Sequence, residues 1–421
     1  MDNNGANAAD PAKPWKLNVG LFVGGQALST FGSMMVQYAI IWHVTLKTQS
    51  GSMITLFTLA GFLPMLITAP FAGVWADRWN RKLIINLADS AIALASLIAA
   101  AFLWIGVDEV GMLLVCAAVR SFGQGVQNPA GGALIPQIVP QDQLTRVSGI
   151  QSGVNSALGL AAPAVSGALM AAAPLSVLFL ADVLTAAIGI GILFFLVRVP
   201  DVPAAKTEGK AAARYFSDLR DGFRYVARHA FILQLLGLAI VFQLLMCPVA
   251  LLTPLQVTRD FGAEVWRLTA IEMTFAVGVT LGGLALGVWG GFKNRVLSMA
   301  VADALFGGCT IMLGVTGNFV FYLTMMAVIG ISMPLYNTPS AVMIQTNVEP
   351  SMLGRVFSFF MMISGAAMPL GMVFFGPLSD RVSIDSLLIA TGIGIIALLI
   401  PILCSKSLRA VAIAPASQAR E

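Results

Sequence analysis

Five ionisable side chains lie inside otherwise apolar stretches of this 421-residue chain: Asp89, Arg120, Asp182, Glu272 and Asp303. Placing such a group within a membrane costs roughly 2.5–3.5 kcal/mol on insertion scales, so each needs a partner or a task. A carboxyl there can take up and release a proton. A buried arginine needs a carboxylate or carbonyl partner, and Glu272 and Asp182 are both candidates for Arg120. No other chemistry is written into the chain. His43 and His229 are far apart, and Cys116, Cys247, Cys309 and Cys404 lie in apolar stretches without metal-ligand spacing. A G-x-x-x-x-G-K-[ST] phosphate loop is absent. The expectation is a protein with no cofactor, no metal and no enzymatic reaction, driven by an ion gradient or by its cargo.

The elements holding these groups must be membrane spans. The chain is 58% hydrophobic and 10% charged, with a mean hydropathy of +0.86, whereas soluble domains carry about 25% charged residues. The formal charge of +4 gives no sign of a nucleic-acid partner. Twelve stretches reach the roughly 20 apolar residues that a span requires: 17–45, 52–75, 83–105, 111–134, 147–172, 176–198, 230–257, 267–290, 296–316, 319–342, 355–378 and 383–404. Residues 1–16 lack the pattern of a signal peptide, so the first span is expected to direct insertion uncleaved. With the N-terminus inside, inner segments hold 19 of the 24 Lys and Arg, and outer segments hold only Lys47, Arg259, Arg267 and Arg381. By the positive-inside rule both termini are expected in the cytoplasm and the protein in the cytoplasmic (inner) membrane.

A basic loop occurs twice. Gly73-Val-Trp-Ala-Asp77-Arg78-Trp-Asn80-Arg81-Lys82 returns 214 residues later as Gly287-Val-Trp-Gly-Gly-Phe-Lys293-Asn294-Arg295-Val296, and the match continues to Asp89 and Asp303, with eight of 17 positions identical. Val139–Val147 likewise aligns with Val348–Val356. Both copies run the same way across the membrane, so the halves are parallel repeats. The expected organisation is a tail at 1–16, a six-helix bundle at 17–198, a cytoplasmic linker at 199–229, a second six-helix bundle at 230–404 and a tail at 405–421. In the linker, Phe216, Leu219, Phe223 and Val226 share one helical face, which suits a helix on the inner leaflet as well as a solvated connection.

Gly73-x-x-x-Asp77-Arg78-x-x-Arg81-Lys82 resembles the loop 2–3 motif of the major facilitator superfamily, with Asn80 where that family usually has Gly. Gln26-x-x-Ser29-x-x-Gly32-Ser33-x-x-x-Gln37, Arg120-Ser-Phe-Gly123 to Asn128-Pro129-Ala130, and Ile135-Pro136 to Leu144-x-Arg146 are similar to the drug:proton antiporter branch containing macrolide efflux proteins and the enterobactin exporter. The resemblance covers nearly all of residues 17–404. It implies an all-α membrane protein of twelve transmembrane helices in two six-helix bundles, the major facilitator fold, with a central cavity and alternating access.

The resemblance also implies roles. Gly73, Asp77, Arg78 and Arg81 would form a conformational latch, with Asp77 against the positive N-terminus of span 11; the alternative is that these charges only fix topology. Gly159-x-x-x-Pro163-x-x-x-Gly167 resembles the antiporter motif and would pack span 5 on span 8, which offers Gly278, Gly282, Gly283 and Gly287; generic helix packing is the alternative. Arg120 matches an arginine that faces the cavity and is linked to proton transfer. Glu272 is the first choice as proton carrier because span 8 borders the other half, with Asp182 next and Asp89 after it. Asp89 and Asp303, on peripheral spans, are expected mainly to bond neighbouring loops or helix ends.

The cargo wall is expected from spans 1, 4, 7 and 10, through Gln26, Gln37, Gln124, Asn128, Gln234, Gln243, Tyr336 and Asn337. Phe242, Met246, Met333 and Met361 would add adaptable apolar contact. So few charges suit a small amphipathic cargo. The expected function is secondary active export of such compounds in exchange for protons, by a monomer surrounded by membrane lipids. A metabolite uptake symporter or uniporter, or a lipid flippase, is the alternative in the same fold.

Overall fold

A computed structural model describes residues 15–199 and 211–410, except for the side chains of 70, 74, 76–78 and 211–219. The described residues are helical throughout apart from short connections. Those of the first half are α1 Trp15–Thr48, α2 Gly51–Arg78, α3 Arg81–Trp104, α4 Val110–Ile138, α5 Leu144–Ala172 and α6 Leu175–Gly191, which a π turn extends to Leu196. A linking helix follows, α7 Ala211–Arg228. The second half has α8 Ala230–Asp260, α9 Val265–Trp289, α10 Arg295–Leu313, α11 Phe319–Asn347, α12 Pro350–Ser379 and α13 Ile384–Ala397, continued by the short α14 Leu399–Cys404 and α15 Lys406–Ala410. Twelve helical segments are long and apolar enough to cross a membrane.

Local chemistry sets the helix ends. Asn80 accepts a hydrogen bond from the Leu83 amide at 3.2 Å and caps α3; Asn294, its copy, accepts from Val296 and Leu297 at 3.0 and 3.2 Å and caps α10. A capping asparagine satisfies amides that the first helical turn leaves open. This accounts for Asn80 in a position where glycine was expected. The two loop copies differ on the other side of the turn. Helix α9 stops at Trp289 and leaves through Gly290 and Gly291, both at positive φ, whereas α2 runs on to Arg78.

The same packings recur in both halves: α1 on α5 and α6, α2 on α4, α3 on α4 and α6, answered by α8 on α12 and α13, α9 on α11, α10 on α11 and α13. This is the parallel repeat expected from the duplicated loops. Small residues permit the closest approaches. A Cβ on Gly189 would fall 2.8 Å from the Gly25 carbonyl, and one on Gly307 would fall 2.9 Å from that of Gly392. Helix α7 lies against the start of α12: Gly222 sits under the Arg355 carbonyl, Phe223 meets Phe359 edge-on at 5.8 Å, and Tyr225 Oη accepts from the Glu349 amide at 3.4 Å. Its Phe216 and Leu219 side chains lie outside the described residues. The described part of the linker therefore packs on the protein instead of extending freely.

The halves touch mainly through α2 with α12 and α5 with α9, and they do so at one end. That end carries the connections at 49–50, 105–109, 173–174, 261–264, 314–318 and 380–383, and is called the Asp380 end; the opposite one, with 79–80, 139–143, 290–294 and 348–349, is the Asn80 end. At the Asp380 end a Cβ on Gly167 would fall 1.8 Å from Thr269 Oγ1, and one on Gly376 would fall 1.7 Å from Thr55 Oγ1. About five helical turns toward the Asn80 end the same faces come round again. There they present Gly149 on α5, Gly287 on α9 and Gly73 on α2, and a Cβ on any of these would meet nothing within 4 Å. Two antiparallel pairs in contact at one end and parted at the other enclose a wedge-shaped cleft, open at the Asn80 end.

Trp266 and Trp289 stand at opposite ends of α9, each more than half exposed.

Candidate functional site

Two cavities line the cleft. One, of about 350 Å³, lies in the first half between α1, α4 and α5, with Gln26, Thr30, Gln127, Asn128, Gln151 and Asn155 as its polar lining. The other, of about 570 Å³, lies between the halves, where Tyr38, Ser156, Gly159 and Leu160 face Glu272, Phe275, Thr280 and Gly283. Glu272 also borders a small cavity of about 90 Å³ inside the second half, with Met246, Phe306 and Met326. Among the described residues no hydrogen bond or ion pair reaches Glu272, and it is the one carboxyl group on the lining of these three cavities. Glu272 is paired with neither Arg120 nor Arg267, which binds Glu264 at 3.0 Å.

Arg120 pairs with Asp182. Its guanidinium donates to Asp182 Oδ2, to Ser96 Oγ and, at 3.0 Å, to the Ser33 carbonyl. Asp182 accepts further from Ser96 at 2.7 Å and from Ser33 at 3.3 Å. Both side chains are buried, at 2% and 0% exposure. The cluster joins α1, α3, α4 and α6 inside the first half. Arg120 therefore does not face the cleft, as the resemblance implied. The three hydrogen bonds of its guanidinium all fall within one bundle.

Asp89 is buried behind the first-half cavity. It accepts from Gln26 Nε2 at 3.3 Å and from Gln127 Nε2 at 2.5 Å, and Gln127 Nε2 also reaches Gln26 Oε1 at 3.1 Å. Its partners are thus cavity-wall amides, not loops or helix ends. Its repeat counterpart Asp303 is fully buried with neither carboxyl oxygen hydrogen-bonded, and the Tyr336 hydroxyl is also without a partner. Asp303 is too deep in α10 to reach a loop.

The remaining expected site residues scatter. Gln26 and Asn128 line the first-half cavity and Met246 the small one. Gln37, Asn337 and Met361 are exposed, while Gln124, Gln243 and Met333 are half-buried. Gln234 is turned away from the cleft, accepting from Ser405 at 2.6 Å. Phe242 and Tyr336 are buried and stacked on each other at 4.5 Å, so they back the wall instead of forming it. Gly159 lines the inter-half cavity, Pro163 is buried, and Gly167 packs on α9. Gly278 and Gly282 do not serve that contact. They lie under Ala327 and Ile331 of α11, inside their own half. Of the latch residues, a Cβ on Gly73 would meet nothing within 4 Å and Arg81 donates to the Ala133 carbonyl at 2.6 Å; the side chains of Asp77 and Arg78 lie outside the described residues. Gln127, Gln151 and Asn155 were missed. The signal was present, since Gln151 and Asn155 are one helical turn apart in an apolar span.

At the Asp380 end Asp380 clasps the other half. Its carboxylate accepts from the Gly51 and Ser52 amides at 2.6 and 2.9 Å and from Ser50 Oγ at 3.0 Å. Arg259 lies 3.8 Å from it and donates to the Gln49 and Ser379 carbonyls at 2.6 and 3.0 Å. Burial acts against its charge, but the bonds from Ser52, Gly51 and Ser50 outweigh burial and hold Asp380 below the usual carboxylate range.

Twelve spans in two repeated bundles around a cleft open at one end are the architecture of a two-bundle membrane transporter. Residues 22–372 match the model of the Major Facilitator Superfamily, and the chain belongs to that family. It is 29% identical to macrolide efflux protein A of Streptococcus pyogenes over 391 residues, covering 92% of this chain and 95% of that one. It is 23% identical to the staphyloferrin A transporter of Staphylococcus aureus (strain NCTC 8325 / PS 47), covering 83% and 86%. Among solved structures, a bacterial homologue of the human lysosomal transporter Spinster, inward-facing and unoccupied, has the same fold with a TM-score of 0.71 at 16% identity, covering 96% of this chain and 100% of that one.

Proposed function

We propose that this protein exports small amphipathic compounds, macrolides among them, across the cytoplasmic membrane in exchange for protons. The observation that carries the exchange is Glu272: one carboxyl without a partner, set where the two halves meet and where both larger and smaller cavities can reach it. A proton there and a cargo molecule would compete for the same wall. The similarity to macrolide efflux protein A supports the cargo class. The bias of Lys and Arg toward the Asn80 end supports a cytoplasmic position for that end and for both termini. On that reading the cleft is open to the cytoplasm and the Asp380 clasp is the closed outer gate.

The test uses one preparation of proteoliposomes. Glu272→Gln mimics the protonated form, so it should retain erythromycin counterflow without a gradient and lose pH-driven accumulation. Normal pH-driven accumulation by this variant would move the proton site elsewhere.

A further inference from the structure

We propose that Asp89, which does not itself line the cleft, is a positioning residue that makes the first-half cavity select ligands that donate hydrogen bonds, such as a hydroxylated ring or a glycosyl group. The inference rests on the cleft being the cargo path. An ionised carboxylate can only accept hydrogen bonds, whereas a carboxamide has donors at one end and an acceptor at the other. Asp89 draws the Nε2 ends of Gln26 and Gln127 toward itself. Their oxygens are thereby assigned. Among the described residues, Gln26 Oε1 receives one bond, from Gln127, and Gln127 Oε1 receives none. Both glutamines line the cavity, and no charged side chain does. At about 350 Å³ the cavity is within the range of small-molecule sites. Two of the five amides on this neutral wall are thus turned to present oxygens, and at that pair the wall fits hydroxyl or N–H groups better than a group offering only acceptors. The second half has no equivalent, because Asp303 holds no amide.

The experiment measures equilibrium binding of erythromycin and of its O-peracetylated derivative to the full chain in lipid nanodiscs. Asp89→Asn keeps the shape but brings an NH₂ group, which obliges one glutamine to turn its oxygen inward. The wild type is expected to prefer erythromycin by about tenfold, the worth of one buried hydrogen bond left unmade. In Asp89→Asn the preference should fall to within about twofold, and Asp89→Glu should restore much of it. A preference unchanged in Asp89→Asn overturns the proposal, as does a parallel loss of both ligands with the ratio preserved, since a merely structural role predicts that. Should Asp89→Asn fail to fold, Gln127→Leu removes the presented oxygen, and an unchanged ratio there is equally fatal. A wild type that binds both ligands alike overturns this inference and leaves the cargo path standing. A wild type that binds no erythromycin removes the cargo reading and this inference together.

Discussion

Arg120 illustrates how far single residues can be read. Its depth in an apolar stretch marks it as a group that must be paired, and Glu272 and Asp182 are the available carboxylates. The choice between them depends on helix rotation and on which helices share a bundle, neither of which a span's hydropathy encodes. The pair found, with Ser33 and Ser96 completing it, ties four helices of one half together. Removing one member leaves the other as an uncompensated buried charge, at a cost of about 3–5 kcal/mol. Arg120→Ala is therefore expected to lower thermal stability sharply in detergent and to lose transport through misfolding. Replacing both members by apolar residues of similar volume, Arg120→Met with Asp182→Leu, should recover the fold. Transport by that double variant would place Arg120 outside the proton route; a stable double variant without pH-driven transport would put it back.

Helices were legible to within a few residues because hydropathy records the spans directly; the expected 17–45, for example, is Trp15–Thr48. Contacts between helices distant in sequence were not. The clasp joins Asp380 to residues about 330 positions away, and no periodicity announces it. A carboxylate on the first turn of a helix is worth about 0.5–2 kcal/mol as a cap. Asp380→Asn should therefore shift the population toward opening at the Asp380 end by roughly twofold to thirtyfold, read as a longer distance between spin labels placed on the turns of α2 and α12 nearest Asp380. The pH dependence has a defined sign. The native bonds hold Asp380 below its ordinary range, so the clasp is at full strength above about pH 4. It is lost only as acid takes the pH down through the depressed value. Spin-label distances that widen between pH 8 and pH 6 would have to come from another group.

At the scale of the whole molecule, the alternating access that the proposed export requires would bring a second set of glycines into contact. Gly149 and Gly287 share faces with Gly167 and Thr269 about five turns away, yet meet nothing here. Rocking one half against the other would bring them together while parting the clasp. In a background lacking the four native cysteines, the pair Gly149→Cys and Gly287→Cys should stay uncrosslinked while the Asn80 end is open. It should crosslink when that end closes, and the crosslinked protein should not transport. Ready crosslinking in the present state would refute the wedge. The twofold repeat and the bundle count could be read from the duplicated loops, whereas which end stands open could not, because hydropathy does not record how two bundles lean on each other.

The tryptophans at the ends of α9 set a further condition, imposed by the host membrane. Helix α9 has 25 residues, a length of about 37 Å, and tryptophan side chains favour the headgroup level on either face of a bilayer. The hydrocarbon layer of a typical membrane is about 30 Å thick. The two indoles, about 34 Å apart along the axis, reach the headgroup level on both faces, and how far the helix leans to keep them there depends on acyl-chain length. Thick bilayers should hold α9 upright and thin ones should tilt it, at fractions of a kcal/mol per Å of mismatch. Since α9 carries both Glu272 and one side of the cleft, turnover in vesicles of graded chain length should peak at an intermediate thickness, making lipid composition a mechanical input to the transport cycle.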